Sequence, residues 1–302
     1  MNTSSLPELP LDQWKDTLAT LHMWSQIVGK IALEKTPLVN HFWNVSLRVT
    51  PRGLSTIPLN GGTTAFAIEF DFIAHELVIR CESGETSRVK LEPRTVADFY
   101  AAVMTALAEI KVEAKIWTMP VEIENPIRFT DDTQHASYNP EYVERFHKIL
   151  VWTNRIFEDF RSRFMGKSSP VQFFWGSFDL AVTRFNGDIA PPRPGADYIT
   201  QESYSRCCIS HGFWCGSGTV LEPAFYGYAA PEPDGLKDTA IQPSVGHYDL
   251  EMKEFILPYD AVRQAADPEK ALLDFLQSTY DAAANLADWK RNVLERPSAA
   301  AA

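Results

Sequence analysis

Residues 169–185 constrain the fold more than any other segment, because they predict a strand with two apolar faces. Period-2 alternation, with Gly176 passed over, sorts the side chains into two rows. The rows are Phe174, Phe178, Leu180 and Val182 on one side, and Trp175, Ala181, Thr183 and Phe185 on the other. A strand covered on both faces is expected inside a sheet. Asp179 stands in its middle, and a buried charge needs a partner or a function.

Four amphipathic segments predict long helices, and three of them begin with a capping residue. Thr95 precedes Asp98 at capping-box spacing, and both Asn139 and Asp267 stand before a proline at the first helical position. The predicted helices are residues 11–34, a helix that starts after Thr95, residues 140 to about 164, and residues 268 to about 289.

Alternation of apolar and polar residues predicts strands between these helices. The predicted strands are residues 46–50, 66–72, 77–81, 88–91, 115–123, 224–228 and 255–259. Glu69 and Asp71 share one face of the second strand, which we interpret as a solvated face where Arg48 pairs across strands. The alternative is a carboxylate pair with divided acid and base roles. The pattern predicts an α+β fold of mostly antiparallel sheets with long flanking amphipathic helices.

The chain divides into two predicted halves, residues 1–135 and 136–296, followed by a disordered tail at 297–302. Each half begins with a helix that carries Trp before a small hydroxyl residue (Trp24-Ser25 and Trp152-Thr153), and a proline-led aromatic strand follows. Internal duplication of a helix–strands–helix unit explains the echo, and chance similarity between apolar strands is the alternative. A duplication predicts a pseudo-twofold arrangement with a cleft near the axis.

Residues 186–223 are predicted to be a long, mostly irregular connection with one short helix around residues 200–209. A connection of this length is typical of a lid or a binding loop. The run Gly212-Phe213-Trp214, with Gly216 beyond it, suits an apolar lid that folds down over a pocket. The alternative is an ordered loop that covers part of the core.

Several classes of function are disfavoured by composition and by absent motifs. A net charge of −11 without a Lys/Arg cluster argues against nucleic-acid binding. No apolar run approaches the roughly 18 residues of a membrane span, and the N-terminus lacks a secretory signal. The chain contains no P-loop, nucleophile elbow, H-E-x-x-H or C-x-x-C motif. We therefore expect a cytoplasmic protein, and the spacing of its residues indicates neither a metal nor a particular cofactor.

Asp179 is the first candidate catalytic residue, and its conceivable partners are Arg184, Arg193, Tyr226 and His41. An ion pair with a purely structural role is the alternative. His41 and His135 are candidates for moving protons, although His135 also suits a turn. His211 lies four residues before Cys215, which makes that cysteine a weaker nucleophile candidate. We expect the ligand-binding residues to be Trp175, Arg184, Arg193, His211, Trp214 and Tyr226.

The run SPVQFFWGSFDLAVTRFNGDIAPPRPG resembles a bacterial family known only as a domain of unknown function. The segments LPLDQWKDTLATLHMWSQIVGK, DTQHASYNP and EPAFYGYAAPEP extend the resemblance over nearly the whole chain. The resemblance implies one shared architecture and carries no activity. In the family pattern a histidine is usual at the position of Gln172, a His-Glu pair at Arg206-Cys207 and a proline at Cys215. These departures put any metal or acid/base role of those family positions in doubt in this chain.

Together these patterns predict a protein, enzyme or binder, that takes a small molecule into an aromatic pocket beneath residues 186–223. Asp179 and Arg184 would hold the polar end of the ligand, and Trp175 and Trp214 would form apolar walls. The alternative is a non-catalytic protein that docks a partner chain through exposed aromatic residues. A concave pocket containing Asp179 favours the first prediction, and a flat apolar patch at the lid favours the second. The sequence predicts neither the ligand nor the oligomeric state.

Overall fold

The computed structural model describes residues 6–216 and 220–297, which form seven α-helices and twelve β-strands. The helices are α1 (Leu11–Lys35), α2 (Val96–Glu109), α3 (Pro140–Ser162), α4 (Tyr198–Ser203), α5 (Tyr259–Arg263), α6 (Pro268–Leu286) and α7 (Arg291–Leu294). The strands are β1 (Arg48–Val49), β2 (Gly53–Ser55), β3 (Leu59–Asn60), β4 (Ala65–Asp71), β5 (Glu76–Cys81), β6 (Thr86–Lys90), β7 (Gln172–Phe174), β8 (Asp179–Ile189), β9 (Arg206–Trp214), β10 (Ala224–Ala230), β11 (His247–Asp249) and β12 (Glu254–Pro258). The predicted α+β class, with antiparallel sheets and long flanking helices, is confirmed.

Three of the four long helices begin where their caps predict. The Thr95 side chain accepts a hydrogen bond from the Asp98 backbone N–H, and Asp267 accepts one from the N–H of Lys270. Asn139 caps α3 ahead of its N-terminal proline. Each cap satisfies backbone donors that the first helical turn otherwise leaves unpaired. Local signals alone therefore define these helix starts.

The strands form two antiparallel sheets of six strands each. The first sheet has the order β1-β2-β4-β5-β6, with β3 paired to β4, and the second has the order β11-β12-β10-β9-β8-β7. The sheets meet where each begins, because Leu47, directly before β1, and Phe173 of β7 exchange backbone hydrogen bonds of 2.9 and 2.8 Å. Internal duplication stays a prediction, although both halves arrange a helix, a meander and a helix in that order.

One apolar core runs through both predicted halves. In the first half, Trp24 of α1 stacks on Phe99 of α2 with ring centroids 4.3 Å apart. In the second half, Phe160 of α3 contacts His211 of β9 and Tyr280 of α6 edge-on. α3 and α6 therefore cover one face of the second sheet.

The predicted single strand over residues 169–185 is wrong, because the segment is a hairpin. The chain forms β7, turns through residues 175–178 and returns as β8, so that Phe174 pairs with Asp179. Phe178 has a φ of 59°, a left-handed conformation that closes the turn. β8 nevertheless lies inside the sheet between β7 and β9, as predicted for the part of the segment that contains Asp179.

Two further predictions of secondary structure are wrong. Residues 115–123 form no strand, because the backbone N–H and C=O of Val121 bond to the side chain of Gln26 instead of to a neighbouring strand. About half of residues 186–223 lie in regular elements, since β8 continues to Ile189, α4 follows and β9 begins at Arg206. Gly212-Phe213-Trp214 therefore belongs to a strand and not to a lid, and the predicted helix is the shorter α4. Residues 217–219, in the same predicted connection, and most of the predicted tail, 298–302, lie outside the described residues.

No helix within residues 6–216 and 220–297 combines the length and the apolar composition that crossing a bilayer requires. For function, the important feature is the second sheet, which has one face against helices and the other against a cavity.

Candidate functional site

A cavity of about 490 Å³ lies against the face of the second sheet that α3 and α6 leave uncovered. We call it the central cavity. Its floor consists of alternate residues of β7, β8, β9, β10 and β12. Two elements cover it, the short 3-10 turn Asn40–Phe42 and α4. We call residues 190–205, which include α4, the lid.

The alternation of β8 decides which side chains reach the central cavity. Asp179, Ala181, Thr183 and Phe185 line it, whereas Leu180, Val182 and Arg184 face the helices. The predicted division of this strand into two rows is thus confirmed from Leu180 onward. Four residues at alternate positions extend over about 20 Å, so the cavity has an end at Asp179 and an end at Phe185.

Asp179 marks what we call the acidic end. Its side chain is 6% exposed and accepts hydrogen bonds from the hydroxyls of Ser177 and Tyr226. Burial raises the pKa of Asp179, and the two hydroxyl donors oppose that rise. Of the four predicted partners, the structure brings only Tyr226 into contact with Asp179. No salt bridge to this carboxylate exists among the described residues.

Tyr226 reaches Asp179 across an intervening strand. The two residues belong to β10 and β8, and Gly212 of β9 lies between them in register with Tyr226. A Cβ atom on Gly212 would overlap the phenol ring of Tyr226. The absence of a side chain at Gly212 therefore lets the ring lie flat across the sheet and present its hydroxyl to the carboxylate.

Two more carboxyl groups line the cavity, Glu254 of β12 and Glu122, which is exposed at its edge. Burial and then the charge of Asp179 raise the pKa of Glu254 to about 7. The same two causes raise the pKa of Glu122. The charge of Asp179 thus raises the pKa of both glutamates, and all three carboxyl groups line the same cavity.

The walls between these carboxyls are mostly aromatic. Trp214 lies directly across from Asp179 in the β8–β9 ladder, and Tyr226 stacks on Tyr228 with centroids 6.0 Å apart. Trp175 is 7% exposed and donates from Nε1 to the Val45 carbonyl at 2.9 Å. A Cβ on Gly29 of α1 would overlap the Trp175 indole, which explains a glycine in the middle of a helix.

His41 connects the cavity wall to the lid. Its backbone N–H donates to Glu202 at 3.0 Å, and its Nδ1 lies 3.0 Å from the carbonyl of Ser203. Because a carbonyl only accepts, Nδ1 carries the proton and Nε2 accepts from the Lys167 ammonium at 2.7 Å. Burial and then the Lys167 charge lower the pKa of His41, so the ring is neutral.

The backbone around His41 is strained. His41 and Phe42 both have a φ of 58°, in the left-handed region that residues other than glycine rarely adopt. This conformation turns both the backbone N–H and the ring of His41 toward α4. Strain of this kind persists where surrounding contacts enforce it, and it is commonly found at functional sites.

Aromatic contacts complete the attachment of the lid. The Tyr204 and Tyr228 hydroxyls lie 2.9 Å apart, and the Arg193 guanidinium lies 4.2 Å from the centre of the Tyr204 ring. Phe42 meets Tyr198 edge-on at 5.9 Å. Arg193 thus belongs to the lid, where it stacks on a cavity-lining ring, and it does not contact Asp179.

Gln172 forms a polar point on the cavity wall beside the junction of the two sheets. Its side chain is 1% exposed, and its Oε1 accepts from Ser46 at 2.8 Å and from Arg48 at 3.2 Å. Its Nε2 donates to no acceptor among the described residues. The predicted pairing of Arg48 across the first sheet is therefore replaced by a contact with Gln172.

Arg184 and His211 lie on the opposite, helix-facing side of the sheet. Arg184 is 1% exposed, stacks on the Phe160 ring at 3.5 Å and donates to the Phe160 carbonyl. His211 contacts Thr279 of α6 at 2.9 Å, and burial lowers its pKa to about 3. The structure therefore places neither residue where it could touch a ligand in the central cavity.

The remaining candidates are also separate from the cavity. His135 lies next to Asp132, with Nδ1 2.7 Å from Oδ2, in the turn whose backbone carbonyls accept from the start of α2. Cys215 is buried, burial raises its pKa well above the ordinary value, and His211 hydrogen-bonds Thr279 and not this thiol. Cys208 does line the cavity, but burial raises its pKa to about 12 and keeps it a thiol.

Sequence reasoning missed Glu122, Glu254 and Tyr228. Tyr228 had a detectable signal, because it alternates with buried residues of a predicted strand, whereas Glu254 lies immediately before the predicted strand 255–259. Glu122 had none, since it lies in an irregular segment that only tertiary contacts hold in place.

A second depression, lined by Gly61, Gly62, Lys111 and Glu113 among others, is more open and holds a balanced set of surface charges. Within residues 6–216 and 220–297, no group of three or more His, Cys, Asp and Glu side chains is arranged to hold a metal ion. The central cavity is thus the candidate site.

Comparison with known proteins gives a family and no activity. Neither the curated proteins nor the solved structures contain a match to this chain. One family model matches residues 6–296, which is nearly the whole chain and includes every element of the central cavity. The chain therefore belongs to DUF5996, a family of unknown function.

Proposed function

We propose that this protein binds a small organic molecule in the central cavity, beneath the lid. The observation that carries the proposal is the unequal covering of the second sheet, whose one face packs on helices while the other faces about 490 Å³ of space. Ligand pockets commonly have volumes of about 300–1,000 Å³. A sheet face left unpacked at this size is costly for folding, unless a ligand occupies it.

The chemistry of the wall supports the proposal. Ligand sites combine apolar and aromatic surface with a few polar groups that fix orientation. Here Trp175, Trp214 and Tyr226 supply aromatic surface, and Asp179 and Gln172 supply buried polar groups. The predicted combination of Asp179 with Trp175, Trp214, Tyr226 and His41 around one pocket is consistent with this arrangement.

The lid supports a route of entry. α4 has six residues and belongs to neither sheet, and side-chain contacts attach it to the turn at His41. Such a short element separates from its contacts at a lower cost than a strand in the middle of a sheet. We propose that displacement of the lid admits the ligand.

We also propose that the protein is cytoplasmic, because its four cysteines are free and cysteines stay reduced in that compartment.

A thermal-shift screen against metabolites and cofactors tests this function. A ligand at 100 times its dissociation constant is expected to stabilise the fold by about 2.7 kcal/mol. The screen is repeated on Ala181→Leu, which fills the cavity from β8, and on Ala181→Ser, which leaves its volume nearly unchanged. We expect hits on the wild type and on Ala181→Ser that Ala181→Leu loses.

Hits that Ala181→Leu retains would place binding elsewhere on the protein. No hit across a broad panel, with all three proteins folded, would contradict the proposal and favour the docking of a partner chain. The described aromatic side chains that are mostly exposed are Trp117 and Tyr198, at 64% and 63%. Partner binding that is lost on changing these two residues would establish that alternative.

A further inference from the structure

We propose that the acidic end of the central cavity binds the cationic group of an organic ligand, a protonated amine or a quaternary ammonium. This assignment rests on the proposed binding function and adds the chemical class of the ligand. It follows from the balance of charge in the wall, from the geometry around Asp179 and from a free donor at Gln172.

The charges of the wall are unbalanced. Asp179, Glu122 and Glu254 line the cavity, and the described lining residues include neither lysine nor arginine. Arg48 and Lys167 bond to other residues of the wall, Gln172 and His41, and no lysine or arginine among the described residues contributes to the pKa of these three carboxyl groups. Carboxyl groups that are removed from water need a counter-charge or a proton. A ligand cation supplies the counter-charge that the protein lacks.

The geometry at Asp179 suits a cation more than a neutral group. The Ser177 and Tyr226 hydroxyls each take one carboxylate oxygen, and an ionised carboxylate has further acceptor sites free. Trp214 lies directly across the ladder from Asp179, so its indole is within reach of the same ligand group. Aromatic faces next to carboxylates form the usual surroundings of an ammonium ligand.

The rest of the cavity indicates the remainder of the ligand. Ala181 and Phe185 continue the β8 face beyond the acidic end, and Ile199 of the lid covers it. This surface suits an apolar body. The buried Gln172 amide, 1% exposed with an unpaired Nε2, offers a hydrogen-bond donor to a neutral acceptor on that body. We therefore expect a cation joined to an apolar or aromatic group.

The pKa values support this assignment. The charge of Asp179 raises the pKa of both Glu122 and Glu254, in addition to the effect of burial. A cation between these groups relieves that repulsion, whereas an anionic ligand adds to it. Anionic ligands are thus disfavoured by the same groups that favour cations.

The test uses two series of probes that share a shape and differ in charge. The first is tryptamine, tryptophol and indole-3-acetate, and the second is choline, 3,3-dimethylbutan-1-ol and 3,3-dimethylbutyrate. Dissociation constants for the wild-type protein at pH 7.5 are measured by ligand-observed NMR. We expect the cation of at least one series to bind about tenfold or more tightly than its neutral analogue, and the anion to bind most weakly.

Asp179→Asn keeps the size of the side chain and removes the charge, so it is expected to abolish the preference for the cation while the neutral analogue still binds. Glu251→Gln, on an exposed glutamate of the β11–β12 turn, is the matched control and is expected to keep the preference. If Asp179→Asn fails to fold, Glu254→Gln takes its place and is expected to reduce the preference.

Equal affinities across a series, or tightest binding of the anion, would overturn the cation assignment. Failure of all six probes to bind would overturn it as well. In either case, hits from the library screen that Ala181→Leu loses would keep the central cavity as a binding site. The two proposals therefore fail on different results.

Discussion

The acidic residues of the two sheets differ in one respect, which is whether the protein supplies their counter-charge. On the first sheet, Asp71 pairs with Arg52 at 2.5 Å and Glu69 pairs with Arg80 at 2.7 Å. On the second sheet, Asp179 and Glu254 face a cavity whose described lining includes no arginine or lysine. In both sheets these carboxylates belong to strands, so strand position alone does not distinguish them.

The difference appears in the direction of the pKa changes. Burial by itself would raise the pKa of Asp71, but Arg52 and the backbone N–H groups of Ala74 and Ile73 lower it overall. Burial raises the pKa of Asp179 in spite of the Ser177 and Tyr226 hydroxyl donors, and it raises the pKa of Glu254, and in neither case does a lysine or arginine charge lower the pKa. The first arrangement stabilises the folded chain, and the second reserves negative charge for something that binds.

The largest effect is expected for Gly212→Ala, which tests how the cavity carboxylate is held. The new methyl group overlaps the Tyr226 ring, so the phenol must leave its position and lose Asp179. Overpacking of this kind costs up to about 3 kcal/mol. The free energy of unfolding in urea measures the cost. Tyr226→Phe, which removes only the hydroxyl, is the control and should cost about 1 kcal/mol. Equal stability of Gly212→Ala and wild type would contradict this geometry.

A smaller effect of opposite sign is expected for Glu254→Gln. The folded protein holds the Glu254 proton more tightly than the unfolded chain does, because the folded pKa is raised to about 7. The wild type therefore loses stability as the pH rises from about 4.5 to about 7. We expect Glu254→Gln to be more stable than wild type by about 2 kcal/mol at pH 8, allowing for partial contact with water, and equal to it at pH 4.

The control is Glu251→Gln, at an exposed position, whose stability relative to wild type should not depend on pH in this way. Destabilisation of Glu254→Gln at pH 8 would show that a cation in the protein already pairs with this glutamate.

Asp71→Asn should change stability in the other direction. Its folded pKa is lowered, so the ionised carboxylate contributes stability above pH 3.8 and loses it as the pH falls through the lowered value. We expect a loss of about 1 kcal/mol at pH 7, since Arg52 is half exposed. The loss should shrink toward zero in acid. A gain in stability at pH 7 would remove the contrast between the sheets.

The smallest effect is expected for Arg193→Gln, which removes the cation of the lid. The guanidinium stacks on the Tyr204 ring, and loss of this contact should cost about 0.5 kcal/mol. Since Arg193 does not pair with the cavity carboxyls, the pH at which Glu254 titrates should stay unchanged. A rise in that pH would identify Arg193 as a counter-charge of the cavity.

Local patterns predicted the helices and much of the cavity floor. Thr95, Asn139 and Asp267 cap the helices as predicted, because a cap involves only residues within one turn. Alternation placed Ala181, Thr183 and Phe185 on one face for the same reason. The same alternation along β8 excludes Arg184 as a partner of Asp179, because residues five apart on a strand point to opposite faces.

Other features depended on contacts distant in sequence. The turn at residues 175–178 was missed because Trp175 is apolar and fits the residue pattern of a strand. The position of the Trp175 indole depends on the space that Gly29 of α1 leaves. Residues 115–123 carry an alternating pattern, but the Gln26 side chain replaces a neighbouring strand. Glu122 reaches the cavity only through that irregular path, so no local pattern could reveal it.

The most direct test of the contrast is a carboxyl ¹³C NMR titration of the ligand-free protein, with resonances assigned through Asp179→Asn, Glu254→Gln and Asp71→Asn. The contrast predicts that Glu254 titrates near pH 7, that Asp179 titrates above the ordinary range of an aspartate, and that Asp71 titrates below it. Titration of all three near pH 4 would contradict it, because the cavity carboxyls would then already have a counter-charge or free access to water.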